Sequence, residues 1–403
     1  MIETGLDALL ERPERLAGRR YAVLAHAASV SGRGVPIVQA LLGGGATPPL
    51  FLLAPEHGYH AVEQDMVPAE EGADPWTGLP IRSLYGREEG SLRPDPAVFD
   101  GVELLVIDLQ DVGSRYYTFA ATAVWAAEAA LSAGCEVWIL DRPNPLGGLE
   151  IEGNLRRPGL DSLVGAFVTP VRHGLTLAEL VRLEAGRRGW DPAALHYETL
   201  RGWLRGMPWE ATGRAWIAPS PNMPTAETAR VYPGACLIEA TELSEGRGTT
   251  QPFLLTGAPG LDGPALAKRL GEALEDAGLE GVRFLPVFFR PQFQKHAGEV
   301  CAGVRWLVTE PRLFRPFRTG VEVLRALRAE LGEAPPWRRA PYEFVSDRPA
   351  IDLLAGDARL RGGLDAGDPA SIEAWIAEWP AEEERFREER ESALLYPQEE
   401  GGP

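Results

Sequence analysis

Short apolar runs alternate with longer polar or helical stretches through the first half of the chain. Residues 20–27, 50–54, 103–109 and 136–140 are dense in Val, Leu, Ile, Ala and aromatic side chains and shorter than ordinary helices. Runs of this kind, separated by helical segments, predict parallel strands buried on both faces. Helices are predicted at about 35–42, over the alanine-rich 118–133 and over 175–184, where Thr176 is placed to cap the first turn. Residues 165–171 read as a further extended piece and 235–238 as strand-like. After about residue 250 the pattern changes to an amphipathic helix at 264–277, strands at 282–289 and 300–308 and a helix at 320–331. A charged tail helix follows at 380–395, with Phe386, Leu394 and Leu395 expected to pack on the body. The expected fold class is α/β: a mostly parallel sheet domain over residues 1–250, then a smaller α/β (α+β) C-terminal domain over 251–403 that contributes to the cleft.

The predicted strands end alike. Glu56-His57-Gly58, Asp108-Leu-Gln110-Asp111, Asp141-Arg142-Pro-Asn144-Pro145 and Arg172-His173-Gly174 each follow an apolar run. Ligands of open parallel sheets bind beyond the strands' carboxyl ends, so these clusters outline the rim of a polar site. Taken singly, each Asp or Asn also fits a helix cap or a turn; their recurrence in register is what points to a ligand. The long polar connection at 58–93 starts directly after Glu56-His57 and reads as a functional loop or lid.

Composition narrows the ligand. With 40 basic against 58 acidic residues the net charge is -18, which opposes phosphate backbones and anionic membrane surfaces, so nucleic acid is excluded as a partner. The alanine-rich stretch contains Glu128 and ends at Gly134, so it reads as a helix on the sheet and no membrane insertion is expected. Glu3 and the lack of an apolar leader core suggest a cytoplasmic location. Cys135, Cys236 and Cys301 are too few and too scattered for a disulfide framework or a zinc cluster, and Cys135 and Cys301 read as small buried hydrophobes.

Glu56 is the strongest chemical signal. A carboxylate on the last turn of an apolar strand is held by rigid backbone in a partly dry setting, which suits a general acid; a structural ion pair is the competing role. His57 and His60 would suit a metal only on a helix, and Pro55 and Gly58 argue for a loop, so no metal is expected. Ser220 lies between prolines without a nucleophile elbow. Neither a phosphate loop nor a dinucleotide glycine fingerprint is present, so no cofactor is expected. Trp76, Tyr85, Tyr116, Tyr117 and Trp216 lie in or beside the polar loops, where they suit stacking on sugar rings. A second carboxylate from Glu71, Asp108, Asp111 or Glu245 would complete a hydrolytic pair.

Seven ordered motifs make the chain recognisable. They are Pro-Glu-His-Gly at 55–58, Thr-Gly-Leu-Pro at 77–80 with Ser-Leu-Tyr-Gly at 83–86, the segments 108–118, 140–148 and 170–176, Pro-Ser-Pro-Asn-Met-Pro at 219–224, and Ser-Glu-Gly-Arg-Gly-Thr at 244–249. Together they resemble the family described as domain of unknown function 1343, which includes the exo-acting beta-N-acetylmuramidases. The resemblance implies a Rossmann-like N-terminal domain, a smaller C-terminal domain and a cleft at the strand ends. It implies hydrolysis of the beta-1,4 bond after a non-reducing terminal N-acetylmuramic acid, on peptidoglycan-derived saccharides or muropeptides. Glu56 then stands as the catalytic acid. His57, Asp108, Gln110, Asp111, Arg115, Tyr117, Asp141, Arg142, Asn144, His173, Asn222, Glu245 and Arg247 fall in motifs and are expected, with Glu71, to bind substrate. Arg115, Arg142, Arg172 and Arg247 are the motif cations available for a lactyl carboxylate. His26 stands where relatives often carry Asn. A saccharide-binding protein without turnover and a metal-dependent amide or ester hydrolase are the alternative readings.

Overall fold

The computed structural model describes residues 1–69 and 71–397. The first part of the chain runs through α1 (Gly5–Leu10), β1 (Tyr21–Ala25), α2 (Ile37–Gly43), β2 (Leu52–Ala54), β3 (Gly72–Ala73), β4 (Pro80–Ser83), β5 (Leu104–Asp108), α3 (Phe119–Ser132), β6 (Glu136–Leu140), α4 (Leu177–Arg188) and β7 (Leu195–Glu198). Its seven-stranded sheet has the order β3-β4-β2-β1-β5-β6-β7. Every neighbouring pair is parallel except β3–β4. The chain goes from β1 outward to β2 on one side and to β5 on the other, so the switch point that opens a crevice in such sheets lies between β1 and β5. Both strands are buried along their whole length, which accounts for their unbroken apolar sequence.

The second part contains α5 (Ala226–Ala235), β8 (Leu255–Ala258), α6 (Gly263–Asp276), β9 (Val282–Phe289), β10 (Cys301–Val308), α7 (Pro316–Leu331), α8 (Ala350–Ala355), α9 (Arg359–Ala366), α10 (Pro369–Ile376) and α11 (Trp379–Arg390). Its three strands form an antiparallel sheet in the order β8-β10-β9. The two parts share one apolar core, continuous from Leu105, Ile107 and α3 to Trp306, Phe317 and Trp375. A smaller cluster with Leu6, Val23, Ile37, Leu52 and Val106 fills the other face of the parallel sheet. α5 and α7 cross where Gly234 meets Gly320, and a Cβ on either glycine would collide with the opposing backbone.

Several expectations need correction. Residues 165–171 form no sheet strand: a short 3-10 turn covers Leu163–Gly165, and Arg172 makes only isolated bridges to Ser114 and Glu152. The run at 235–238 is helical, since α5 passes into a 3-10 turn over Cys236–Ala240; a short, fully buried apolar run has no periodicity that separates strand from helix. The loop at 58–93 contributes β3 and β4 to the sheet edge, and β7 is an additional edge strand. In the tail, α11 buries Phe386 and Tyr396 is buried beyond it.

Candidate active site

The candidate cleft forms where the end of β2 faces loops of the C-terminal part. It is lined by Glu56, His57, Asp65, Tyr116, Tyr117, Thr118, Ser220, Asn222, Tyr232, Glu239, Arg247, Phe253, Tyr342 and Glu343, among others. β2 stops at Ala54 because Pro55 follows, and the positive φ of His57 (70°) and Gly58 (79°) then turns the chain sharply. That turn holds Glu56 at 5% exposure beyond the sheet. Its Oε2 accepts a hydrogen bond from the Thr118 hydroxyl at 2.7 Å, and Thr118 therefore makes no side-chain cap for α3. His57 is oriented through its Nδ1, which donates to the Glu63 carbonyl at 2.9 Å and leaves Nε2 as the acceptor nitrogen.

The opposite wall is acidic. Glu343 accepts from the Tyr85 hydroxyl at 2.8 Å and Glu239 from the Tyr342 hydroxyl at 2.6 Å. Burial pushes both carboxyls up, Glu343 well above the carboxylate range, and the nearby charge of Glu56 reinforces the shift at Glu343. Glu343 (φ 46°) and Phe344 (φ 68°) both hold left-handed backbone, a costly conformation for non-glycine residues that is concentrated at functional sites. Arg247 faces Glu239 at 2.6 Å, Glu245 at 3.3 Å and Asp65 at 3.4 Å. Burial alone would lower the Arg247 pKa, but these carboxylates outweigh it and raise it well above the usual value. Its Nε and Nη1 are buried and make no hydrogen bond. Lys295 closes the cluster behind Glu245 at 2.8 Å.

Of the residues expected from sequence, the structure brings Glu56, His57, Tyr117, Asn222 and Arg247 to the cleft, with Glu245 behind Arg247. Asn222 donates to Gln64 at 2.8 Å, and the Tyr117 hydroxyl is buried beside Ser220. The others stand elsewhere. Arg142 forms a buried two-pronged pair with Asp108, one prong at 2.8 Å. Asp141 accepts from the Ala178 amide and the Tyr396 hydroxyl, while Gln110 donates to the Asp111 and Pro143 carbonyls. Asn144 ties the Leu146 amide to the Leu175 carbonyl and packs where a Cβ on Gly113 would collide with it. Arg115 donates to four carbonyls, those of Asn154, Thr169, Leu354 and Ala355. His173 accepts from the Leu175 amide and lies 4.0 Å from Asp111; burial holds its pKa down to about 3 and lifts that of Asp111 to about 7. Glu71 is exposed beside β3. The buried groups among these spend their hydrogen bonds on one another, on Val30, on residues 143–178, on α8 and on Tyr396, away from the cleft.

His26 is a positioning residue. Its Nε2 accepts from the Gln110 amide at 2.9 Å, so Nδ1 carries the proton and donates to the Pro219 carbonyl at 3.1 Å. Burial holds its pKa down to about 3, which keeps this neutral form. It thereby ties the β1 end to loop 219–224, which supplies Ser220 and Asn222 to the cleft. His60 pairs with Asp74 at 3.0 Å, away from the His57 partner. Asp65, Glu239, Tyr342 and Glu343 were missed by sequence reasoning, although Glu343 between two aromatics in a Tyr-Glu-Phe loop was a usable signal.

An α/β protein whose sheet-end cleft pairs carboxylates across a tyrosine-lined, ion-paired pocket has the equipment of a glycoside hydrolase. The chain belongs to the exo-beta-N-acetylmuramidase NamZ family: the N-terminal family model matches residues 21–227 and the C-terminal model residues 230–396. It is 35% identical over 396 residues to the peptidoglycan beta-N-acetylmuramidase NamZ of Bacillus subtilis (strain 168), covering 98% of this chain and 91% of that one. A crystal structure of a DUF1343 family protein from Bacteroides fragilis NCTC 9343 is similar at TM-score 0.83 and 28% identity, over 98% of this chain and 99% of that one. A second DUF1343 family protein from the same organism shares the fold at TM-score 0.73 and 24% identity, over 99% of this chain and 100% of that one. No helix among the described residues is long and apolar enough to cross a membrane.

Proposed function

We propose that the chain hydrolyses the beta-1,4 bond that releases a non-reducing terminal N-acetylmuramic acid from peptidoglycan fragments, with Glu56 as general acid. The observation that carries this reading is the buried Glu56 facing Glu343, whose carboxyl burial and the Glu56 charge keep protonated. Two carboxylates in one dry cleft do not both ionise, so the pair holds a proton at neutral pH. That proton moves from Glu343 to Glu56 and from Glu56 to the glycosidic oxygen as the C–O bond breaks and the bond's electron pair goes to the leaving sugar, which leaves Glu343 ionised. Water then adds to the anomeric carbon and returns a proton to the pair through Glu343. Tyr117 and Tyr232 supply ring faces for the sugar, and Nε and Nη1 of Arg247, which lie in ion-pair range of Glu245 and Asp65 but make no hydrogen bond among the described residues, supply donors for the lactyl carboxylate.

The test is release of N-acetylmuramic acid from an N-acetylmuramyl-N-acetylglucosamine disaccharide by wild type and Glu56→Gln. Product from wild type and none from a folded Glu56→Gln is expected. A folded variant that keeps most of the activity removes Glu56 from the role, and saturable disaccharide binding without product from wild type replaces the reading with a binding protein.

A further inference from the structure

A larger cavity, of about 260 Å³, lies on the other side of α5 between loop 145–150, loop 205–208 and the entry to α7. α5 is the partition: Arg230 lines this cavity and Tyr232 lines the cleft. Four arginines border it in a chain of net charge -18: Arg172, Arg205, Arg230 and Arg312. Two are already answered. Arg205 pairs with Glu179 and donates to the Gly148, Gly174 and Tyr396 carbonyls, and Arg230 pairs with Glu210 at 2.8 Å. The other two are not. Arg172 is 9% exposed and donates through Nη2 to the Leu146 carbonyl, but its Nε is buried and has no hydrogen-bond partner among the described residues. Arg312 is exposed and makes no ion pair among the described residues.

The neighbouring acids do not fill the gap. Glu150 is engaged by Arg315 at 2.9 Å. Glu152, behind Arg172, gives one oxygen to the Arg318 amide at 2.7 Å to cap α7, and burial lifts its carboxyl to about 7. Arg172 itself is held below the usual guanidinium value, by burial first and by Arg315 and Arg230 in opposition to Glu152 and Glu150. The remaining wall is apolar, built from Leu146, Met207, Phe314 and prolines.

We infer that this cavity is a binding site for a small organic carboxylate with an apolar body, its charge on Arg172 and Arg312 and its body against Leu146, Met207 and Phe314. A monoanion suits the balance better than a phosphate dianion, because Glu150 also faces the cavity. A concave, mostly apolar pocket with a few convergent polar groups is of the kind that takes small ligands, and its volume limits the ligand to a small one. The site is independent of the cleft chemistry.

The probes are 3-phenylpropionate and phenyl phosphate, titrated by ligand-observed NMR against wild type, Arg172→Gln, Arg312→Glu and Glu56→Gln. The expected result is saturable 3-phenylpropionate binding that weakens about tenfold in Arg172→Gln, the loss of one charge-assisted contact, weakens less in Arg312→Glu and is unchanged in Glu56→Gln. Arg312 is exposed and unpaired, so its variant reports on the site even where Arg172→Gln folds poorly. No saturation up to tens of millimolar overturns the inference. Binding that Glu56→Gln abolishes or Arg312→Glu leaves intact also overturns it, and tighter binding of phenyl phosphate overturns the carboxylate assignment.

Discussion

Two groups of buried acids stand beyond the carboxyl ends of the same sheet, and they differ in what answers their charge. At the β5 and β6 ends, Asp108 meets both prongs of Arg142, and Asp141 meets an amide and a tyrosine hydroxyl. At the β2 end, Glu56 has one hydroxyl and faces Glu343, Glu239 and Asp65 across the cleft. The first group ties loops together through complete hydrogen bonding. The second leaves like charges opposed, so it keeps open acceptors for a substrate. Polar strand ends in register therefore mark two different things in one fold.

Substitutions in the two groups should separate accordingly. Glu56→Gln is expected to lower turnover about 1000-fold, within the range for loss of a general acid, with an unchanged melting temperature. Arg142→Ala should do the reverse. It strands Asp108 in the interior and should cost about 3–5 kcal/mol of stability in denaturant titrations, while activity per folded molecule stays at the wild-type level. If Arg142→Ala instead kept its stability and lost turnover, the β5 and β6 ends would belong to the chemistry and the contrast would collapse.

Glu343→Gln sharpens the acidic side. Turnover should fall about tenfold to a hundredfold, and the alkaline limb of the pH–rate profile should move to lower pH. The sign follows from the pair: a neutral amide no longer adds its charge to the site, so the remaining proton is held less firmly. A loss of turnover with an unmoved limb would give Glu343 a purely structural part.

How much of this the sequence disclosed depends on how local the cause was. β1, β2, β5 and β6 were legible because strands buried on both faces are uniformly apolar, and α4 because its capping box, Thr176 with Glu179, is a local device. β7 was not, since Leu195-His-Tyr-Glu198 is a short edge strand of mixed burial. Glu56 was legible from its place on a strand end. Glu343 and Glu239 were not, because only the fold brings loops more than 180 residues further along the chain against Glu56. Arg115 and Arg142 read as ligands for an anion from their charge and their place in the motifs; their carbonyl and carboxylate partners lie more than 30 residues away in sequence, which no local pattern records.

The smallest effect concerns Tyr396→Phe, which probes the satisfied group through pH. Burial raises the Asp141 carboxyl from 3.8 to about 7, and the Tyr396 hydrogen bond opposes that rise. A carboxyl raised on folding keeps its proton where the unfolded chain has lost it, so its contribution to stability falls as pH climbs from 3.8 to about 7. Removing the hydroxyl takes away a donor to the ionised form and pushes Asp141 higher still, which extends that fall to higher pH. It also leaves the Leu200 amide, which bonds to the Tyr396 oxygen at 3.0 Å, without its partner. That second cost is the same at every pH. Destabilisation by Tyr396→Phe should thus be about 1 kcal/mol near pH 5, where the acid is neutral, and about 2 kcal/mol near pH 8, where a charged acceptor loses its donor. Chemical denaturation at the two pH values measures the difference. Equal costs at both would mean that Asp141 keeps one protonation state across this range, and the pH contrast drawn for the acids beyond β6 would fall.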